Sequence, residues 1–397
     1  MRILTIFIDM IRANRLSLFN DKIKEDTPLD KIFKELGGTI YNNCFSEGPD
    51  TPRAISSYFT GVEPWNNGCN TRLKWPGVFL EDDLKTIFEL FSDKNYKIDL
   101  FASINEQKIG FFPKYVKETE NIKINQDNSL SDFFKNIKLE DNHFIFIGLP
   151  DYHWAFDDLG YTKKGEKESY KITKKSFDMI FEKFNKDEFD HIFVFSDHGF
   201  KFKYERIKYP REFLLNDDRT NIIMIHRRKQ QNELSINNKL CSLSDMYATY
   251  QDILNINISN GVSLFSDSER DYILAEDHMH FTPSVNQNIE LWSLTNKQYI
   301  YIRTLEKAIL IDRKTKHIEY KILKEYDDVL KNKTSYGKYA DEYEKVFKYI
   351  NNIRLDENIY YTNGLKRKKE SKIINIMNIL LDFITTNKLI NSKKFKK

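Results

Sequence analysis

The 397-residue chain is poor in cysteine, glycine and proline, carries almost no net charge and has no long apolar run. Its three cysteines, Cys44, Cys69 and Cys241, are too few and too scattered for a disulfide framework or a thiolate zinc site, and they fit a reducing compartment. Only 14 glycines and nine prolines stand against 40% hydrophobic and 14% aromatic residues, which excludes a disordered, collagen-like or linker-dominated chain. Lysine and arginine total 62 against 59 aspartates and glutamates, so the net charge of +3 lacks the basic excess of a nucleic-acid binder. No segment reaches the ~18 apolar residues of a membrane span. Met1-Arg2 runs at once into Ile3 to Ile8 with no charged-then-apolar leader, so the chain reads as cytoplasmic.

What is present is an α/β pattern. Residues 3–8, Phe144 to Ile147 and Ile192 to Phe195 are short apolar runs of the kind that form fully buried parallel strands. Helical patterns at Leu84 to Phe91 and Ile172 to Phe184 supply the crossovers that parallel strands need. These features predict a large, mostly parallel central sheet with helices on both faces. Beyond about residue 290, shorter alternating runs at Tyr299 to Ile302, Ala308 to Ile311 and Ile318 to Ile322 predict a small antiparallel sheet. The expected organisation is a catalytic domain over 1–290, a small sheet over 291–325 and a Lys-rich helical tail over 326–397. In that tail Ile373, Ile376, Met377, Leu380 and Ile384 share one helical face flanked by lysines. Such a helix suits docking on the protein or peripheral contact with an anionic membrane.

Each buried strand is followed by an acidic residue: Asp9, Asp151 and Asp197. Open parallel sheets bind ligands beyond the carboxyl ends of their strands, so the three carboxylates are expected to converge, although aspartate also follows strands as a turn or capping residue. The segment Gly48 to Gly61 carries a second signal. Thr51 suits a helix N-cap, Pro52 the first helical position and Gly61 the stop, so a helix is predicted to begin just after Thr51. Its free N–H groups and positive dipole end suit a bound or transferring phosphate.

Taken together, these motifs resemble the alkaline phosphatase superfamily, and within it the sulfatase-like branch, over most of residues 3–325. Ile3 to Asp9 with Arg12 and Arg15-Leu16 is similar to that family's opening strand and metal-binding aspartate. Thr27-Pro28-Leu29-Asp30, with Gly37-Gly38 through Phe45, resembles its approach to the nucleophile. Thr51-Pro52 with Thr60-Gly61-Val62-Glu63-Pro64-Trp65-Asn66-Asn67-Gly68 resembles the nucleophile helix and its exit. Ser196-Asp197-His198-Gly199 is similar to the metal-binding Asp-His-Gly, and Ser244 to Thr249 to the later Asp-x-x-x-Thr helix. Single motifs of this kind are common; their shared order and spacing carry the resemblance.

The resemblance implies Thr51 as nucleophile and metal ligand, with Asp9, Asp197 and His198 as the other ligands of one divalent ion. Three oxygen donors and an imidazole suit zinc or manganese, with calcium or magnesium also compatible. A second metal, or a substrate contact, is implied for Asp151 and His153 together with His278 or His280. Here the Asp and His stand two apart, where phosphodiesterase relatives have them four apart. Arg12, Arg53, Lys201 and Lys203 are candidates to neutralise phosphate charge. His143, His191, His226 and His317 lie in or beside apparent strands and read as structural.

Sulfatases proper carry a Cys or Ser that becomes formylglycine, then Pro-Ser-Arg, and a double Asp after the first strand. This chain has Thr51 at the nucleophile position, Ile55 where the Arg would stand and Met10 in place of the second Asp. Threonine cannot become the aldehyde hydrate of that chemistry. The expectation is therefore a metal-dependent phosphodiesterase or phosphotransferase working through a phosphothreonine, on a phosphate ester or phosphodiester of a glycan or activated sugar. A sulfuric-ester hydrolase, or a non-catalytic binding protein that keeps the fold, is the alternative.

Overall fold

The computed structural model describes residues 1–70, 80–81, 83–101, 119–125, 129–200, 215–279 and 289–341; of these, the side chains of Asn125, His278, Met279 and Ile289 are not described. In chain order the elements are β1 (Arg2–Ile8), α1 (Pro28–Leu36), β2 (Gly38–Tyr41), β3 (Cys44–Phe45), α2 (Thr51–Thr60), α3 (Pro64–Asn67), α4 (Ile87–Ser92), β4 (Lys97–Phe101) and β5 (Ile122–Asn125). There follow α5 (Leu130–Asn136), β6 (His143–Leu149), α6 (Asp151–Leu159), α7 (Lys163–Lys183), β7 (His191–Ser196), α8 (Asp217–Thr220), β8 (Met224–Arg228), β9 (Leu234–Asn237), β10 (Cys241–Ser242) and α9 (Asp245–Ile253). The last group is β11 (Ile273–Met279), β12 (Ile289–Thr295), β13 (Tyr299–Arg303), β14 (Ala308–Asp312), β15 (Ile318–Glu319) and α10 (Lys324–Lys333).

The large sheet has eight strands in the order β5-β4-β6-β1-β7-β8-β2-β9, all parallel except β8, which runs against both neighbours. β1 is central, and its side chains alternate between two packed faces. Ile3 and Phe7 join Phe146, Phe195, Tyr58 and Phe88 on one side, while Leu4, Ile6 and Ile8 join Ile145, Val194, Phe33 and Phe177 on the other. This two-sided burial is why the strands read as continuous apolar runs. The expected helix at Leu84 to Phe91 is shorter than its apolar pattern. It starts at Ile87, where Thr86 and Glu89 form a capping box.

A second, antiparallel sheet runs β11-β12-β13-β14-β15. It begins at Ile273, upstream of the boundary expected near residue 290, because β11 pairs along its whole length with β12. By compactness, the described residues up to Met279 and those of Ile289–Thr334 belong to one unit. The amphipathic stretch around Ile373 to Ile384 lies outside the described residues. Among the described residues no helix is long and apolar enough to cross a membrane.

Candidate metal and nucleophile site

The sheet register brings the central residues together. Ile8 of β1 pairs with Ser196 of the adjacent parallel strand β7, so the next residues, Asp9 and Asp197, emerge side by side at the carboxyl end of the sheet. On the other flank Ile8 pairs with Leu149 of β6, and the Asp9 N–H donates to the Leu149 carbonyl at 3.0 Å. Asp197 is held by backbone donors: its Oδ1 accepts from Met10 N at 3.0 Å and from His198 N at 2.7 Å. Met10 reaches this position in a left-handed conformation, φ 67°. It therefore contributes a backbone N–H where the resemblance would have a second carboxylate.

The helix that presents Thr51 starts one residue earlier than its sequence predicts. Asp50, with extended backbone, is the N-cap and accepts from Arg53 N at 3.4 Å, while Thr51 and Pro52 occupy the first turn. Asp50 thus takes the capping role assigned to Thr51 and leaves the threonine hydroxyl directed elsewhere. Thr51 Oγ1 lies 3.4 Å from Asp9 Oδ1 and 3.3 Å from His198 Nε2. All ten residues of α2 are buried, and Tyr58 stacks on Phe195 of β7 at 4.3 Å between ring centroids. Its hydroxyl bonds Tyr250, which bonds Thr5 of β1. The helix is thereby fixed to the two strands that supply Asp9 and Asp197. Gly61, at φ 68°, ends it; a side chain there would meet Tyr247.

Asp9, Asp197 and His198 offer ligand atoms within 4.8 Å of one another. His198 Nδ1 bonds the Gly199 carbonyl at 2.9 Å, which can only accept, so the proton sits on Nδ1 and the Nε2 lone pair faces Thr51. Burial pulls His198 down to about 4 and keeps it neutral, as a ligand must be. Burial, and then the Asp9 charge, pushes Asp197 well above the usual carboxylate range, and its buried Oδ2 has no hydrogen-bond partner among the described residues. Two adjacent buried carboxylates and an orphaned oxygen form a site that a divalent cation relieves. These residues, with the Thr51 hydroxyl, fit such an ion.

His153 joins this group and Asp151 does not. His153 Nδ1 donates to Asp9 Oδ2 at 2.7 Å, and its Nε2 faces Asp157 at 3.7 Å. Burial opposes the charge on His153, but Asp9 prevails and raises it to about 9. The same pairing overcomes burial to hold Asp9 below its usual range. Asp151, at the start of α6, instead accepts from Ser176 of α7 at 3.0 Å. Two residues along a helix differ by about 200° in direction, so the pair expected to act together diverges.

The two expected phosphate-binding arginines face protein carboxylates. Arg12 Nη2 donates to Asp218 Oδ1 at 2.5 Å. Arg53, fully buried, pairs with Asp50, lies 3.8 Å from Asp277 Oδ1 and bonds Asn70. Lys201, Lys203 and His280 lie outside the described residues, and His278 is known only as a backbone position in β11. A residue the sequence did not mark is Arg219 of α8. Its Nη2 donates to the Pro49 carbonyl at 2.8 Å, its carbonyl holds Gly199 N at 2.8 Å, and its charge helps keep His198 neutral. Asp217-Asp218-Arg219 reads locally as a solvated charge run, which hid it.

The site sets a threonine hydroxyl in the first turn of a helix, beside two carboxylates and an imidazole at the carboxyl end of parallel strands, a donor set that fits a divalent cation. The chain belongs to the sulfatase family, whose model matches residues 2–256. No curated protein matches it in sequence. Among solved structures it is similar to a 2-O GAG sulfatase, at 14% identity over 89% of this chain and 92% of that one, with a TM-score of 0.61. A protein of the alkaline phosphatase superfamily from Vibrio parahaemolyticus aligns at 12% identity, over 85% and 88% of the chains, with a TM-score of 0.57. A phosphonate monoester hydrolase of Agrobacterium radiobacter aligns at 11% identity, over 87% and 95%, with a TM-score of 0.56. At these identities the likeness is one of fold.

Proposed function

We propose that this protein is a metal-dependent phosphoryl-transfer enzyme, a phosphodiesterase or phosphotransferase acting on a carbohydrate-type ester, with Thr51 as nucleophile. The observation that supports it is the Thr51 hydroxyl at the first turn of α2, 3.3–3.4 Å from His198 Nε2 and Asp9 Oδ1. Asp9, Thr51, Asp197 and His198 would hold the divalent ion, which would supply Lewis-acid stabilisation of a threonine alkoxide. The Thr51 oxygen attacks phosphorus, the ester oxygen leaves, and a phosphothreonine remains until water or an acceptor hydroxyl takes the phosphoryl group. The helix N-terminus favours the negative charge that gathers there, and the His153 imidazolium beside Asp9 adds a positive charge and a proton donor.

The unmodified threonine favours phosphorus over sulfate esters, because the aldehyde hydrate used by formylglycine sulfatases cannot be made from it. Relatives of the same fold include both a sulfatase and a phosphonate hydrolase. The deciding experiment is a metal-replete screen of phosphomonoesters, phosphodiesters and sulfate esters on wild type beside Thr51→Ala. The expected result is turnover of a phosphorus ester that falls roughly 10³-fold or more in the variant. Robust aryl sulfate turnover with slow phosphate ester turnover would replace the reading with a sulfuric-ester hydrolase. Absence of bound metal, with no activity sensitive to Thr51, would indicate a binding protein.

A further inference from the structure

A cavity opens at the end of the large sheet opposite Asp9 and Asp197. β7 runs antiparallel to β8, so His191 at its start pairs with Arg228, while Phe195 near the catalytic end pairs with Met224. Six residues of strand separate His191 from Asp197, which puts this end roughly 20 Å from the metal ligands. The cavity is about 500 Å³, the size of a sugar unit or two, and among the described residues no carboxylate lines it. Arg228 and Lys229 supply two positive charges at its rim.

Its walls are ordered polar groups over an aromatic floor. Gln231 is fixed at both ends: its Nε2 donates to Thr39 Oγ1 at 3.1 Å and its Oε1 accepts from Arg228 N at 3.1 Å. His226, 2% exposed, meets His191 through Nε2 at 2.9 Å, and its Nδ1 has no hydrogen-bond partner among the described residues. Burial, followed by the nearby His191 and Arg228, keeps it neutral. Phe265 packs against His226 at 4.7 Å between centroids and carries the Arg228 guanidinium 4.9 Å above its ring. Amides, an imidazole and an aromatic surface are groups that bind sugar hydroxyls and ring faces, and a rim of cations with no carboxylate selects an acidic sugar.

We propose that this cavity binds an acidic monosaccharide unit, its anionic group on Arg228 and Lys229 and its hydroxyls on Gln231 and His226. The ligand chemistry is read from the cavity itself and does not depend on the ester chemistry proposed for Thr51. Isothermal titration of the full chain with D-glucuronate, D-glucose 6-phosphate and neutral D-glucose tests it, on wild type, Arg228→Glu, Phe265→Ala and Asp197→Asn. Expected is binding of at least one acidic sugar to wild type and Asp197→Asn alike, weakened roughly tenfold or more by Arg228→Glu and for neutral glucose. Arg228 is exposed, so its substitution spares the core, and Phe265→Ala should weaken both acidic sugars together. Glucuronate alone binding would assign a carboxylate ligand, and glucose 6-phosphate alone a phosphate ligand. Binding lost in Asp197→Asn but kept in Arg228→Glu, or no binding at millimolar sugar, overturns the proposal.

Discussion

His153 Nδ1 and Asp9 Oδ2 share a 2.7 Å hydrogen bond that joins the start of α6 to the end of β1. The contact leaves the other Asp9 oxygen directed at Thr51 and orients the carboxylate from outside. Groups of this kind tune a ligand without holding the ion. His153→Ala is therefore expected to retain bound metal while turnover falls about 10²-fold, as read by metal analysis beside steady-state kinetics. Loss of the metal together with activity would make His153 a ligand itself.

Arg53 and Asp277 connect α2, the helix that carries Thr51, to β11 of the small sheet. With Asp50 also on the guanidinium, Arg53 reads as the anchor of the first turn of α2. Removing one member of such a buried group costs ~3–5 kcal/mol, because the remaining charges stay buried without their full complement. Urea denaturation of Arg53→Met, Asp277→Ala and the double variant should show strong non-additivity, with the double variant less damaged than the sum. Additive losses would mean that the two residues act independently.

Gly199 has no room for a side chain. A Cβ there would collide with the Asp218 carbonyl oxygen and with Arg12 Cγ. The Gly199 carbonyl also fixes the His198 tautomer, so displacing it turns the imidazole. Gly199→Ala is expected to lower stability by ~1–3 kcal/mol and to weaken metal binding, measured by urea unfolding and metal titration. Unchanged metal affinity would show that His198 tolerates the shift.

The stacked pair His191 and His226 predicts the acid limb of stability. Burial lowers His191 to about 4 and His226 well below the ordinary histidine value. Between the folded value and the unfolded one near 6.5, the unfolded chain binds more protons. Their contribution is complete above pH ~6.5 and is lost as pH falls through that window toward 4. Urea midpoints at pH 7.5 and 5 should drop for wild type and change less for His226→Phe, compared with each protein's own value at pH 7.5. Equal drops in both would place the acid sensitivity elsewhere.

The sequence by itself determined the parallel sheet and the ends of its central strands, because apolar runs and strand-ending turns are local signals. It marked Asp9, Thr51, Asp197 and His198 through the family resemblance that the motif order carries, and tertiary structure brings these four together because β1 and β7 are register-matched neighbours and α2 packs against them. Other roles depend on contacts between segments far apart in the chain, which no local pattern encodes. Asp50 rather than Thr51 caps α2; Asp151 turns to Ser176 while His153 turns to Asp9; Arg12 and Arg53 meet Asp218 and Asp277; and Arg219 enters from an unmarked charge run. Residue chemistry named the candidates, and strand register, helix phase and charge pairing across the fold decided which of them face one another.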